Sequence, residues 1–429
     1  MILGLGRNVR FLLLALGGVG TACSGRLQGT GDDGGMSGSG SSSSGGANSG
    51  SSSGVVSSSS GVVSSGSDGG GNSGSSSGSS SDLCDMLPSS VCMEPPTPPP
   101  GPTTSLTTPH NYGVHKLYLG DTDRTGIPSI NAWSSFGYDL DGKVTTAAST
   151  DVCTLVPGSS RQVQVDGNGG IDNSWGANIV PILETLDSTF SQTNNDALQA
   201  GAPTQLFYVV GFDDSAGNMT SAAGLTGVAL TGAQYSANGG MVPTWDLSTH
   251  WPIAPNSLSC YPSGGTDSCT ASTDPVAAAN VKFPAAFQTS GTFVNGTPAD
   301  LTLSLPLSGQ ALVVNLHNAV VTFYPEVPGS VTNGTIAGVL DTQELIAAIQ
   351  QVAGSISTSL CAGSAFASIA AQIQETSDVV INGSTVTNPA GVMCNAISIG
   401  LGFDASEIAL PTSADIAPPQ QPPVNPCGD

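Results

Sequence analysis

Hydrophobic residues in this chain fall into short alternating runs set between turn-forming residues. Period-two alternation is clear in Leu301-Thr-Leu-Ser-Leu-Pro-Leu307 and in Ile397-Ser-Ile-Gly-Leu-Gly-Phe403, the spacing of strands with one face toward a core. Gln205–Phe212, Ala311–Leu316 and Ala319–Tyr324 are apolar, β-prone runs that predict further strands. Asn295-Gly296, Asn333-Gly334 and Asn382-Gly383 interrupt strand-like sequence, and each suits a type I′ hairpin, whose two central residues need φ > 0. All three also begin Asn-x-Ser/Thr triplets, and the turn reading is preferred to glycosylation.

Helical periodicity is rarer. Asp341-Thr-Gln-Glu344 has the form of a capping box, and Leu345, Ile346, Ile349 and Val352 then share one face. Phe366, Ile369 and Ile373 give a second stripe. A third runs through Trp175, Ile179, Ile182, Leu183 and Leu186, with Pro181 near its first turns. The pattern predicts a mainly β fold. We expect a large antiparallel β-sandwich, jelly-roll or lectin-like, with a short helical insertion between late strands and Ile397–Phe403 as its closing strand.

The N-terminus follows different rules. Arg7 and Arg10 precede an apolar run from Phe11 to Val19, far short of the roughly 20 residues that span a bilayer. Residues 1–22 therefore read as a secretory signal. Gly20-Thr21-Ala22-Cys23 resembles the lipobox of bacterial lipoprotein precursors, although Gly20 stands where that motif usually carries Leu. The resemblance implies a lipid on Cys23, contact with the membrane through that lipid, and residence in the bacterial cell envelope. Ser24 in the next position implies the outer membrane or cell surface. Ordinary signal-peptidase cleavage is the alternative.

Residues 23–82 then form a linker. All but eight of the 45 residues in Ser37–Ser81 are Ser or Gly, which cannot bury enough apolar area to offset backbone entropy. Such a coil of about 60 residues reaches roughly 40–45 Å. A small cysteine loop and a Pro-rich segment occupy 83–104, the β-rich body 105–417, and a Pro-rich tail 418–429.

Cleavage before Cys23 leaves 6 basic and 31 acidic residues, a net charge of −25. That balance argues against nucleic acid as a partner, since such sites need Lys/Arg clusters. Eight cysteines remain: Cys84, Cys92, Cys153, Cys260, Cys269, Cys361, Cys394 and Cys427. An even count in an exported chain reads as disulfides. Proximity favours Cys84–Cys92, Cys260–Cys269 and Cys361–Cys394, leaving Cys153 for Cys427. No Cys-x-x-Cys spacing points to a cysteine zinc site.

Candidate chemistry concentrates between Asp121 and Asp172. Asp139, Asp141, Asp166, Asn168 and Asp172 supply oxygens at alternating positions on glycine-rich loops, as calcium requires. The EF-hand pattern is not met, and plain Asx-turns need the same residues. Trp245, Asp246, His250 and Trp251 could form a sugar platform, indole stacking on CH faces and Asp taking hydroxyls; the alternative is a structured loop whose tryptophans plug a sheet. Asp213-Asp214 could act as a carboxylate pair or simply end a strand. None of His110, His115, His250 and His317 lies in a catalytic motif. The run Asp-Gly…Ile-Asp-Asn-Ser-Trp-Gly within Val165–Pro181 resembles exported bacterial proteins of uncharacterised activity, which implies a structural reason for it. Two function classes follow: a non-catalytic surface module that binds glycan or an envelope protein, or else a secreted polysaccharide hydrolase using Asp carboxylates.

Overall fold

A computed structural model describes residues 93–419 and Cys427, apart from 102, 216, 236–241, 262–268, 271, 308, 357 and 362. Cys23, the linker, and Cys84 with Cys92 lie outside the described residues. The body is mainly β, with one large antiparallel sheet and few helices. Its strands are β1 (Pro109–Tyr118), β2 (Gln205–Val210), β3 (Ala222–Thr231), β4 (Val281–Thr289), β5 (Thr292–Val294), β6 (Ala299–Leu307), β7 (Gln310–Phe323), β8 (Pro325–Val327), β9 (Ser330–Asp341) and β12 (Ala396–Glu407). β10 (Val380–Asn382) and β11 (Thr385–Thr387) make a separate hairpin.

The large sheet runs β6-β7-β5-β4-β3-β2-β1-β12-β9-β8, and β7 also pairs with β9. That last pairing returns the sheet on itself, so its two halves face each other across a shared core, as sandwich layers do. Aromatic contacts between strands that are not neighbours show this directly. Phe323 of β7 lies 5.3 Å from Tyr112 of β1 and 6.3 Å from Phe207 of β2, while Phe207 meets Phe403 of β12 at 5.6 Å. All four rings are at most 1% exposed, and fully burying a ring of this size contributes about 2–3 kcal/mol.

Helices and loops pack outside the ring. They are α1 (Val180–Leu186), α2 (Phe190–Gln199), α3 (Pro275–Ala278), α4 (Thr342–Ile356) and α5 (Ser364–Gln374). The Asp341 cap is realised, its Oδ1 accepting the N–H groups of Gln343 and Glu344. Leu345, Ile349 and Val352 are buried below it. The Trp175 stripe starts as a π-helical turn, Trp175–Ile179, before α1. No helix among the described residues is long and apolar enough to cross a membrane.

Only one of the three Asn-Gly pairs turns a hairpin, Asn382 leading into the β10–β11 turn with Gly383 at φ 61°. Asn295 is fully buried between β5 and β6, donating to Ala319 O and accepting from Val321 N–H. There the side chain stands in for ladder bonds that a kinked strand cannot make. Asn333-Gly334 lies within β9, where Gly334 lets the Phe403 ring sit against the backbone. The two-residue β4–β5 turn is instead Ser290-Gly291, both at positive φ.

Among the described residues the disulfides are Cys153–Cys394, Cys260–Cys269 and Cys361–Cys427. Cys260–Cys269 is as expected; the other two expected pairs exchange partners. Sequence proximity misleads because α5 and the β10–β11 hairpin intervene between Cys361 and Cys394. Cys394 N–H donates to Thr154 O and Thr154 N–H to Val392 O, which sets Cys394 beside Cys153.

Candidate metal centre

The outward face of β12 carries Ser398, Gly400 and Gly402, and these are buried. A loop layer sits directly on the strand backbone. A Cβ at Gly400 would lie 2.1 Å from Phe136 O, and one at Gly402 would lie 2.5 Å from the Phe136 ring. The small residues are there to admit this layer.

Asn173 fastens it. Its Nδ2 donates to Trp133 O (3.1 Å), Phe136 O (3.0 Å) and Gly400 O (2.9 Å). Its Oδ1 accepts from the N–H groups of Gly176 and Gly400, both at 3.0 Å. Ile171, Asp172, Asn173, Ser174 and Trp175 are each at most 3% exposed. The Ile-Asp-Asn-Ser-Trp-Gly run is therefore the structural seam between loop layer and sheet.

Against this seam the predicted acids converge. Carboxylate oxygens of Asp139, Asp141 and Asp172 lie within 4.8 Å of one another. That is about twice a calcium–oxygen bond, the span of opposed ligands around one ion. Asp139 and Asp172 are 3% and 2% exposed. Asp166 and Asp378 add charge close by, since both raise the pKa of Asp172.

Each acid is oriented through its neighbours. Asp139 Oδ1 accepts from Gly142 and Lys143 N–H, and Asp172 Oδ2 from Leu140 (2.6 Å) and Asp141 (3.2 Å) N–H. Asp166 takes the Thr145 N–H, and Asp378 holds Ser398 through both backbone and hydroxyl. The Lys143 ammonium turns instead to Asp151 and to Asn388 O at 2.9 Å.

Burial is the largest cause of an upward pKa shift in four of these acids. It carries Asp139 and Asp378 to about 7 and Asp166 to about 9, and it holds Asp172 well above the ordinary carboxylate range. The remaining carboxylates push the same way. Ionised together in the interior, they need either protons or a cation.

Other predicted residues fall elsewhere. Asn168 is exposed and donates to Ser135 Oγ, so it does not join the acids. Asp123 is a plain Asx-turn, accepting from the Thr125 and Ile127 N–H groups. Asp378, nearly 240 positions from Asp139, carried no sequence signal.

The Trp245–Trp251 pair stacks at 4.7 Å, with Trp251 only 2% exposed and donating to Ala233 O. It covers the outer face of β2 and β3 together with Ile253 and Leu258. Exposed Asp246 caps its own turn through Ser248, and exposed His250 faces Asp415 at 3.3 Å. The geometry is that of the plugging loop, because a buried Trp251 has no face to offer a sugar.

A cleft of about 530 Å³ lies apart from the acids, between α4 and β7. Its Asp341 serves as the helix cap, and Glu344 meets His317 Nε2 at 3.3 Å. Compared with known proteins, the chain matches no family model, no curated protein and no solved structure.

Proposed function

We propose that this chain is a non-catalytic binding or scaffold module of a bacterial cell envelope, tethered through a lipid on Cys23 and clamped by one calcium ion. Asp139, Asp141 and Asp172 would hold the ion, with Asp166 and Asp378 adding negative charge behind them. The observation that carries this reading is convergence: the acids meet at one interior point. A polysaccharide hydrolase instead needs two carboxyl groups facing across an open groove, about 5–10 Å apart. The ion fixes the loop layer on β12, and the body then offers a rigid, acidic surface to a glycan or an envelope protein.

Calcium bound only by the native state stabilises it by about 2.7 kcal/mol at a hundredfold excess over Kd. Extracellular sites commonly bind at ~10⁻⁴–10⁻³ M, so melts of the full chain should be compared in several-millimolar calcium and in EDTA. We expect a midpoint several degrees higher in calcium, with the difference erased in Asp139→Asn/Asp172→Asn. Superimposable wild-type melts would leave only Asx-turns.

The anchor is tested separately. Expressed in a bacterial host, the chain should incorporate labelled palmitate and partition into detergent. A Cys23→Ser variant that still labels would defeat the lipid assignment.

A further inference from the structure

A second cluster sits at the end of the strand ring, far in sequence from the aspartates of the loop layer. His110 opens β1, Glu407 ends β12, and Asp214 follows β2. One ligand atom from each of His110, Asp214 and Glu407 lies within 4.8 Å of the other two. The imidazole nitrogen is 2.8 Å from Glu407 and 3.7 Å from Asp214. Ligands held at about 2.0–2.2 Å from a tetrahedral ion stand roughly 3.3–3.6 Å apart; the Asp214 distance is close to that span, and the Glu407 contact is a hydrogen bond that an ion would replace.

The group is oriented from behind. Tyr112, fully buried, donates its hydroxyl to Asp214 Oδ2 at 3.5 Å, and Gly329 N–H donates to the same oxygen at 3.2 Å. Such outer contacts fix a ligating carboxylate in place. The side chains are 10% exposed for His110 and 19% for each acid, so one approach from solvent stays open.

Charge makes the same point. A protonated His110 brings one positive charge against the carboxylates of Asp214, Glu407 and the nearby Asp213; a divalent ion beside a neutral imidazole brings two. A nitrogen ligand beside two carboxylates selects zinc-class ions over calcium, which takes oxygen.

We propose that His110 Nδ1, Asp214 Oδ2 and Glu407 Oε1 form an open three-ligand site for a divalent transition ion of the zinc class, with the solvent side left for a fourth ligand. The site is independent of the calcium reading.

Cobalt(II) is the probe. The full chain, stripped with chelator and resupplied with millimolar calcium, is titrated with Co²⁺ alone. One equivalent should bind with a visible d–d band, release about one proton per ion, and be displaced by Zn²⁺. His110→Ala should lose the band, and Tyr112→Phe should weaken binding roughly tenfold, the low end for an outer-contact change. Asn168→Ala, at an exposed site outside both clusters, should leave it intact. Should His110→Ala fail to fold by circular dichroism, Glu407→Gln replaces it, with the same expected loss. Saturable cobalt binding unchanged in the folded His110 or Glu407 variant would overturn the proposal. So would a wild-type chain with no visible band, which would leave these residues an ion pair only.

Discussion

In EDTA, the thermal midpoint of the full chain falls by on the order of 10 °C as the pH rises from about 4 to about 9. The cause is the buried aspartate cluster. An acid whose folded pKa exceeds its unfolded value binds more protons when folded, so stability is lost as pH climbs between the two. The window opens at the ordinary 3.8, passes about 7 for Asp139 and Asp378, and extends to about 9 for Asp166.

A shift near three units in one such group corresponds to roughly 4 kcal/mol. For a body of this size each kcal/mol moves the midpoint by about 2–4 °C. Exposed carboxylates are fully ionised by about pH 6, so the fall above about pH 7 reports the buried set and His110, beyond the opposing contribution of His115, whose burial lowers its pKa. His110 acts in the same direction, because its raised pKa means support that is lost as it deprotonates.

Asp172→Asn separates the two contributions. It keeps an acceptor for the Leu140 and Asp141 N–H groups while removing a charge, so it should flatten the slope. Calcium should flatten it too, by replacing protons with an ion, and the gap between calcium and EDTA melts should widen with pH. A midpoint in EDTA that is level from pH 6 upward would contradict the buried cluster.

Asn173→Ala should be the most damaging single change in the body. It removes five hydrogen bonds at 2% exposure and leaves Phe136 O, Gly176 N–H and both backbone groups of Gly400 to find other partners. Each buried group left unsatisfied costs about 1–3 kcal/mol, so a loss of about 5 kcal/mol or more is expected in denaturant unfolding. Asn168→Ala, at an exposed site three residues before the start of the seam, should change stability by less than about 0.5 kcal/mol. Similar losses for the two variants would mean that the loop layer is not pinned through Asn173.

The strands were legible where alternation reflects burial, as in β6, β12 was legible as a strand, and α4 was legible from its cap and stripe. β12 was still misjudged on one face. Its Ser and Gly positions resemble a solvated side, yet they are small because the loop layer lies against the backbone.

The helix α2 has only a sparse apolar stripe, Phe190 and Leu198, both buried. It docks through amides: Asn194 Nδ2 donates to Pro306 O, and Asn195 brackets the Leu117 backbone. No periodicity of hydrophobic residues reports such a face. Of the five predicted metal residues, four gather at or beside the cluster and Asn168 does not, because Gly169 at φ 66° turns the chain outward there. Asp378 and the His110–Asp214–Glu407 group were invisible for a different reason. Their members are brought together only by strand order, which a single sequence does not encode locally.

Closure of the sheet through β7 and β9 has a further effect on a chain crowded beside copies of itself. An open edge strand is a template for another chain's strand, and the hazard grows with local concentration. Among the described strands of the large sheet, β6 and β8, at the ends of the strand order, have a single partner each. β8 is three residues long and begins with Pro325, too short and too poor in donors to recruit a neighbour. β6 carries Pro306, whose nitrogen has no hydrogen to give, and side-chain amides of Asn194 and Gln205 already occupy the Pro306 and Thr302 carbonyls. Neighbouring copies can thus stand side by side without their backbones joining into fibrils.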